Sequence, residues 1–131
     1  MITSRRLTLA ATGAVLTAIA PLLATPAYAG DGDIIKRGSC TMGAEWKLKA
    51  GPQDGRLEVE GEVDSNRSGQ TWRWRIIHNG TLSASGTATT QPPSGSFSVR
   101  RVLVDVAGTD SIVWRATRSA TGETCRGVVT F

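Results

Sequence analysis

The sequence predicts an all-β fold: a single antiparallel β-sandwich of about seven strands, preceded by a cleaved export signal. Three observations carry this expectation. Clusters of Gly, Pro, Asn, Asp and Ser recur at near-even spacing between Gly51 and Glu123, and such clusters supply the special dihedrals of turns. Between them, side chains alternate apolar and polar with a period of two, as in strands with one buried face. Two cysteines, Cys40 and Cys125, bracket the patterned region.

The opening segment, MITSRRLTLAATGAVLTAIAPLLATPAYAG, sets Arg5 and Arg6 ahead of an apolar run from Leu7 to Leu23 and ends on Ala27-Tyr28-Ala29 before Gly30. A basic start, an apolar middle and an A-x-A site make a secretory signal peptide. The predicted division is therefore a signal peptide over 1–29 and a sandwich domain over 30–131, with the mature protein secreted and extracellular. Pro21 and Pro26 interrupt the end of the run, which falls short of the roughly 20 residues that span a bilayer. No membrane insertion is expected after cleavage. The Arg5-Arg6 pair also fits twin-arginine export, although Thr8 stands where such signals usually carry an apolar residue.

Arg5 and Arg6 account for two of the four net positive charges of the chain. The remaining charges are mixed in sign along the sequence, as on an ordinary solvated surface, and no nucleic-acid partner is implied.

The elements follow in order. After Gly30-Asp31-Gly32-Asp33, a first strand is expected near 40-CTMGAEWKLK-49, where Trp46 and Leu48 share a face. In 56-RLEVEGEVD-64, Leu57, Val59, Gly61 and Val63 oppose Glu58, Glu60 and Glu62. In 71-TWRWRIIHN-79, Trp72, Trp74, Ile76 and His78 oppose Arg73, Arg75 and Ile77. A hairpin pairing Asp64 with Thr71 would place Glu62 opposite Arg73 and Glu60 opposite Arg75, with Gly61 beneath Trp74. That arrangement predicts a core face and a charge-paired outer face.

Asn79-Gly80 is the strongest short hairpin signal in the chain, but an unbroken two-residue hairpin would bury Ser83, Ser85 and Thr87 against the tryptophan face. Burying hydroxyls without partners is costly. An extra loop residue forming a bulge is expected instead, turning Leu82, Ala84, Gly86 and Ala88 inward. The remaining strands are read at 82–90, 96–105, 111–118, where Trp114 shares the parity of Ile112, and 124–131. The predicted core is thus Trp46, Leu57, Val59, Trp72, Trp74, Ile76 and Trp114.

An even pair of cysteines in an exported chain reads as a disulfide between Cys40 and Cys125. Neither C-x-x-C nor a second histidine supports a redox or metal role. His78 is therefore expected to have no chemical role. Glu58, Glu60 and Glu62 stand roughly 6.5 to 7 Å apart along a strand, near the spacing of an inverting glycosidase pair. They lie in a row beside basic residues rather than across a cleft. No G-x-S-x-G elbow or phosphate-binding loop is present, and Asp31-Gly32-Asp33 is too short to enclose calcium. Asn66-Arg67-Ser68 and Asn79-Gly80-Thr81 fit the glycosylation pattern. No cofactor is expected.

Four runs carry a resemblance: Asp33-Ile34-Ile35-Lys36-Arg37-Gly38-Ser39-Cys40, Trp46-Lys47-Leu48-Lys49, Pro93-Ser94-Gly95-Ser96-Phe97-Ser98-Val99-Arg100-Arg101, and Thr121-Gly122-Glu123-Thr124-Cys125-Arg126-Gly127. Together they make the chain similar to small secreted actinobacterial proteins of unknown function. The resemblance implies export, one disulfide and an immunoglobulin-like sandwich, and it carries no catalytic residue. Immunoglobulin domains place their cysteines closer together, whereas here the two bracket the whole domain.

Three functions are weighed. A non-enzymatic binding or interaction module with an extracellular or cell-envelope ligand leads, because no catalytic set is visible. A carbohydrate-binding module is the alternative and requires exposed aromatic rings. An enzyme is improbable for want of a site.

Overall fold

The computed structural model describes residues 32–131, and the predicted signal peptide at 1–29 lies outside them. Eight strands follow in order: β1 (Ile34–Ser39), β2 (Glu45–Gln53), β3 (Arg56–Asp64), β4 (Thr71–His78), β5 (Thr81–Thr89), β6 (Ser96–Val104), β7 (Ser111–Arg118) and β8 (Thr124–Thr130). Antiparallel ladders join them into two four-stranded sheets, β1-β2-β3-β6 and β5-β4-β7-β8. With β1 set aside, the chain crosses between sheets after β3, β5 and β6, the Greek-key connectivity of an immunoglobulin-like sandwich. No helix among the described residues is long and apolar enough to cross a membrane.

β1 was not expected from the sequence. Its segment IIKRGS lies at a sheet edge and is mostly exposed, so it lacks the alternation that marks a half-buried strand. The next strand begins at Glu45 rather than near Cys40, because Cys40–Ala44 is a tight turn in which the Cys40 N–H donates to the Ala44 carbonyl at 2.6 Å. β2 then runs on through Pro52. β1 reaches only to the position opposite Ala50, so on that side the missing N–H of Pro52 breaks no ladder. The turn that follows is Asp54-Gly55, with φ of 49° and 76°, the left-handed pair that matches hairpin twist.

The expected hairpin between 56–64 and 71–79 is not formed. β3 pairs with β2 and β6, and β4 pairs with β5 and β7. Residues between β3 and β4 carry the chain across to the other sheet, held by Ser65 N–H to the Gly95 carbonyl at 3.0 Å and Gly69 N–H to the Thr90 carbonyl at 2.8 Å. Glu60 and Glu62 therefore do not face Arg75 and Arg73; they lie on opposite outer surfaces of the sandwich. Glu62 stands between Lys47 and Ser98, and Glu60 between Lys49 and Arg100. The physical reason is that two amphipathic strands bury the same alternate side chains whether they pair edge to edge or stack face to face across a core.

The β4–β5 hairpin combines both signals read in its sequence. Asn79 and Gly80, with φ of 48° and 79°, form the turn, and His78 pairs with Thr81. The register then shifts between Ile76 and Ile77, which leaves Ser83 unpaired and brings Ala84, Gly86 and Ala88 opposite Ile76, Trp74 and Trp72. The bulge lies in the strand, not in the loop. Leu82 is consequently outside it, paired with Ile77 and 53% exposed, rather than inward.

Leu48, Ala50, Leu57, Val59, Val63, Phe97, Val99 and Leu103 from the first sheet meet Trp72, Trp74, Ile76, Ile112, Trp114, Ala116 and Val129 from the second. Trp46 departs from the expected core. It is only half-buried, with its ring against Gly38 and Gly127 at the β1–β8 edge, because no strand lies beyond β1 to cover it. The Cys40–Cys125 disulfide, with an S–S distance of 2.02 Å, joins the β1–β2 turn to β8.

Candidate functional site

Outward-facing side chains of the second sheet fall into rungs fixed by its three ladders. One rung reads Thr87-Arg73-Thr117-Thr124 across β5, β4, β7 and β8, and the next reads Ser85-Arg75-Arg115-Arg126. All four arginines are exposed. Arg75 lies directly opposite Arg115, which lies directly opposite Arg126. Like charges in directly opposed positions weaken a sheet, and none of the four strands contains an Asp or Glu to offset them. Arg73, Arg75, Arg115 and Thr117 line a shallow groove of about 370 Å³.

The first sheet's outer face is built differently. Lys47 bridges Glu60 at 3.4 Å and Glu62 at 3.3 Å, and Arg100 reaches Glu58 at 2.7 Å. Glu58, Glu60 and Glu62 are thus neutralised in place on an open surface, while Glu45 lies directly opposite Asp64. Charges that are mixed along the sequence are segregated in space: one sheet carries both signs on its outer face and the other is uniformly basic.

The tryptophans form no platform on either outer face. Trp72 and Trp114 have no exposed surface and Trp74 has 4%. Trp74 and Trp114 stack at a centroid separation of 6.2 Å, and Phe97 packs against Trp72 and Trp114 at 6.5 and 6.3 Å. The guanidinium of Arg101, on the edge strand β6, lies 5.0 Å from the Trp74 ring centroid and caps the open side of the core, a cation–π contact.

His78 belongs to a second cluster. Its Nε2 lies 2.5 Å from Oδ1 of Asp110, which is almost wholly buried. That hydrogen bond, acting against burial, holds the Asp110 carboxyl below the usual carboxylate range. Asp105 is pushed above that range, first by hydrogen-bonding its proton to Asp110 and then by desolvation and the like charge. Oδ2 of Asp110 is buried without a hydrogen-bond partner. Among the described residues no hydroxyl or thiol is hydrogen-bonded to the His78 ring. The cluster secures the 105–110 loop, whose Asp110 exchanges two backbone hydrogen bonds with Phe131.

The signs of the two shifts oppose each other. The depressed Asp110 contributes stability above its unfolded pKa, and this is lost as pH falls through its lower folded value. The raised Asp105 contributes stability below its unfolded pKa, and this is lost as pH rises through its higher folded value. Asp105→Asn, which removes the like charge beside Asp110, is expected to raise the melting temperature by an amount that grows as pH rises through the folded Asp105 value and shrinks in acid. A lower melting temperature at pH 7 would contradict this account.

Sequence reasoning had singled out Arg73 and Arg75 but assigned them to carboxylates, and it missed Arg115, Arg126, Asp105, Asp110 and Glu123. The last is 93% buried by the turn that it holds, its Oε2 accepting N–H groups from Met42 and Ala44 at 3.1 and 2.9 Å. One signal was available for the arginines: 71–90 and 111–118 contain no acidic residue. Comparison of the chain with protein-family models, curated proteins and solved structures finds no match.

Proposed function

We propose that the chain is a secreted, non-enzymatic binding domain whose ligand is anionic and docks on the outer face of β5-β4-β7-β8. The observation that carries this reading is the Arg75-Arg115-Arg126 rung in strands devoid of carboxylates. A bound anion relieves the repulsion that this rung imposes on the free sheet. Guanidinium groups match phosphate, sulfate and carboxylate with paired donors. Strands about 4.8 Å apart and alternate residues about 6.7 Å apart set the arginines on a grid suited to repeated charges. Ser85, Thr87, Thr117 and Thr124 add hydroxyls around them. The formed disulfide suits an oxidising, extracellular setting. The polysaccharide alternative fits in one form: three tryptophans are interior and Trp46 is a single half-buried ring at an edge, so no flat array of rings faces a neutral glycan, whereas an acidic polysaccharide meets the arginines.

The test is titration with soluble inorganic polyphosphate. Arg75→Ser/Arg115→Ser should weaken binding at least tenfold and reduce the slope of log K against log salt by about 1.4, at roughly 0.7 per phosphate contact on a single-stranded polyanion. Lys47→Ser/Lys49→Ser, on the other sheet, should change neither. Equal losses from both faces would reduce the interaction to nonspecific charge and overturn the assignment.

A further inference from the structure

We infer that the ligand is an anionic amphiphile met as a phosphate-bearing lipid surface, with phosphates on the arginine rung and the domain's adjacent apolar rung in contact with the acyl region. The inference rests on the anionic reading above. It comes from the next rung of the same outer face, Leu82-Ile77-Val113-Val128, which is apolar across all four strands. An antiparallel sheet facing water normally alternates to polar side chains on that side. Here the alternation fails together in three strands, at Ile76-Ile77, Ile112-Val113 and Val128-Val129, in each of which the inward member is buried and the outward one is not. Leu82 reaches the same rung only because the Ser83 bulge turns it outward.

This row runs roughly 14 Å across the sheet and lies about 6.7 Å from the arginine row, by the spacing of strands and of alternate residues. The distance from charge to hydrocarbon is therefore short and constant along the face, as at a bilayer interface where phosphates border the acyl chains. A stable protein partner needs about 800 Å² per side, centred on an anchored side chain, and a single aliphatic rung falls well below that. A lipid surface needs no such area, because many head groups act at once and apolar contact adds to electrostatic attraction. It also tolerates the half-burial of Ile77, Val113 and Val128, since the acyl region conforms to a shallow relief.

The test uses the disulfide-bonded protein with two kinds of sedimented vesicle, phosphatidylcholine alone and phosphatidylcholine containing phosphatidylglycerol, alongside soluble polyphosphate. Binding to the anionic vesicles and not to the neutral ones is expected, with about fivefold loss of partitioning for each of Arg75 and Arg115 replaced by Ser. Leu82→Ser, at an exposed position, and Leu82→Ser/Val128→Thr should weaken vesicle binding severalfold and leave polyphosphate binding intact. Unchanged vesicle binding in both apolar variants would overturn the lipid inference. So would a wild-type protein that binds polyphosphate but ignores anionic vesicles, an outcome that leaves the anionic assignment standing. Binding to none of these ligands would overturn both.

Discussion

Replacing Trp114 by alanine is expected to cost roughly 3 to 5 kcal/mol, the usual range for emptying a large aromatic from a core, and to remove a large share of the resistance to denaturant. The total stability of a small domain is only about 5 to 15 kcal/mol. Trp114 is fully buried, stacks on Trp74, touches Phe97, and lies flat over Gly61 of the facing sheet. A Cβ added at Gly61 would overlap its indole. Gly61→Ala should therefore destabilise the wild-type protein, yet be neutral or favourable with Ala at 114, where the ring is gone and a strand glycine is otherwise a weakness. Denaturant unfolding of the four-member cycle reads this reversal of sign. An equal cost of Gly61→Ala in both backgrounds would contradict the stacking of Trp114 on Gly61.

The second large effect is expected from Cys40→Ser/Cys125→Ser. The bond closes a span of 85 residues, and the chain-entropy relation assigns such a loop about 4.5 kcal/mol at 25 °C. Most of that acts on the unfolded chain, so the native contacts around the missing bond should persist. Thr41 N–H donates to the Thr124 carbonyl, Thr124 N–H donates to Thr41 Oγ1, both at 3.0 Å, and Glu123 still holds the turn from within. The double variant should thus keep its circular-dichroism spectrum in the cold and lose a large part of its melting temperature. Undiminished thermal stability would remove the crosslink from the account of what holds the fold.

Local signals in the sequence reached the strands and turns but not their partners. Alternation marks Leu57, Val59 and Val63 as one face of β3, and Trp72, Trp74 and Ile76 as one face of β4, because side-chain parity depends only on the strand itself. Sheet partnership depends on distant ladders. The pairing of Glu60 and Glu62 with Arg75 and Arg73 was charge-consistent, and it failed because stacked and paired strands share one pattern. β1 stayed hidden for the opposite reason, being an edge that buries too little to alternate. The arginine face was illegible because Arg75, Arg115 and Arg126 come together only through the registers of β4–β7 and β7–β8. Asn79-Gly80, in contrast, fixed its own turn, since both left-handed residues are local.

The disulfide also determines how the domain would respond to being pulled. β1 starts and β8 finishes at the end of the sandwich carrying the Asp54-Gly55 and Asn79-Gly80 turns, whereas Cys40 and Cys125 sit at the other end. Tension applied at the two ends would enter along β1, cross the S–S bond and leave along β8, bypassing everything between the cysteines. Among the described residues, only the short segments outside the bond could be drawn out, their ladders unzipping rung by rung, to a length of about 50 Å at roughly 3.5 Å per residue. The reduced chain would extend by about 350 Å on the same scale. Oxidation thus separates mechanical strength from the folding of the core: a molecule anchored through one end and dragged by the other would lose β1 and most of β8, while β2 to β7, with the arginines on β4 and β7, stayed folded.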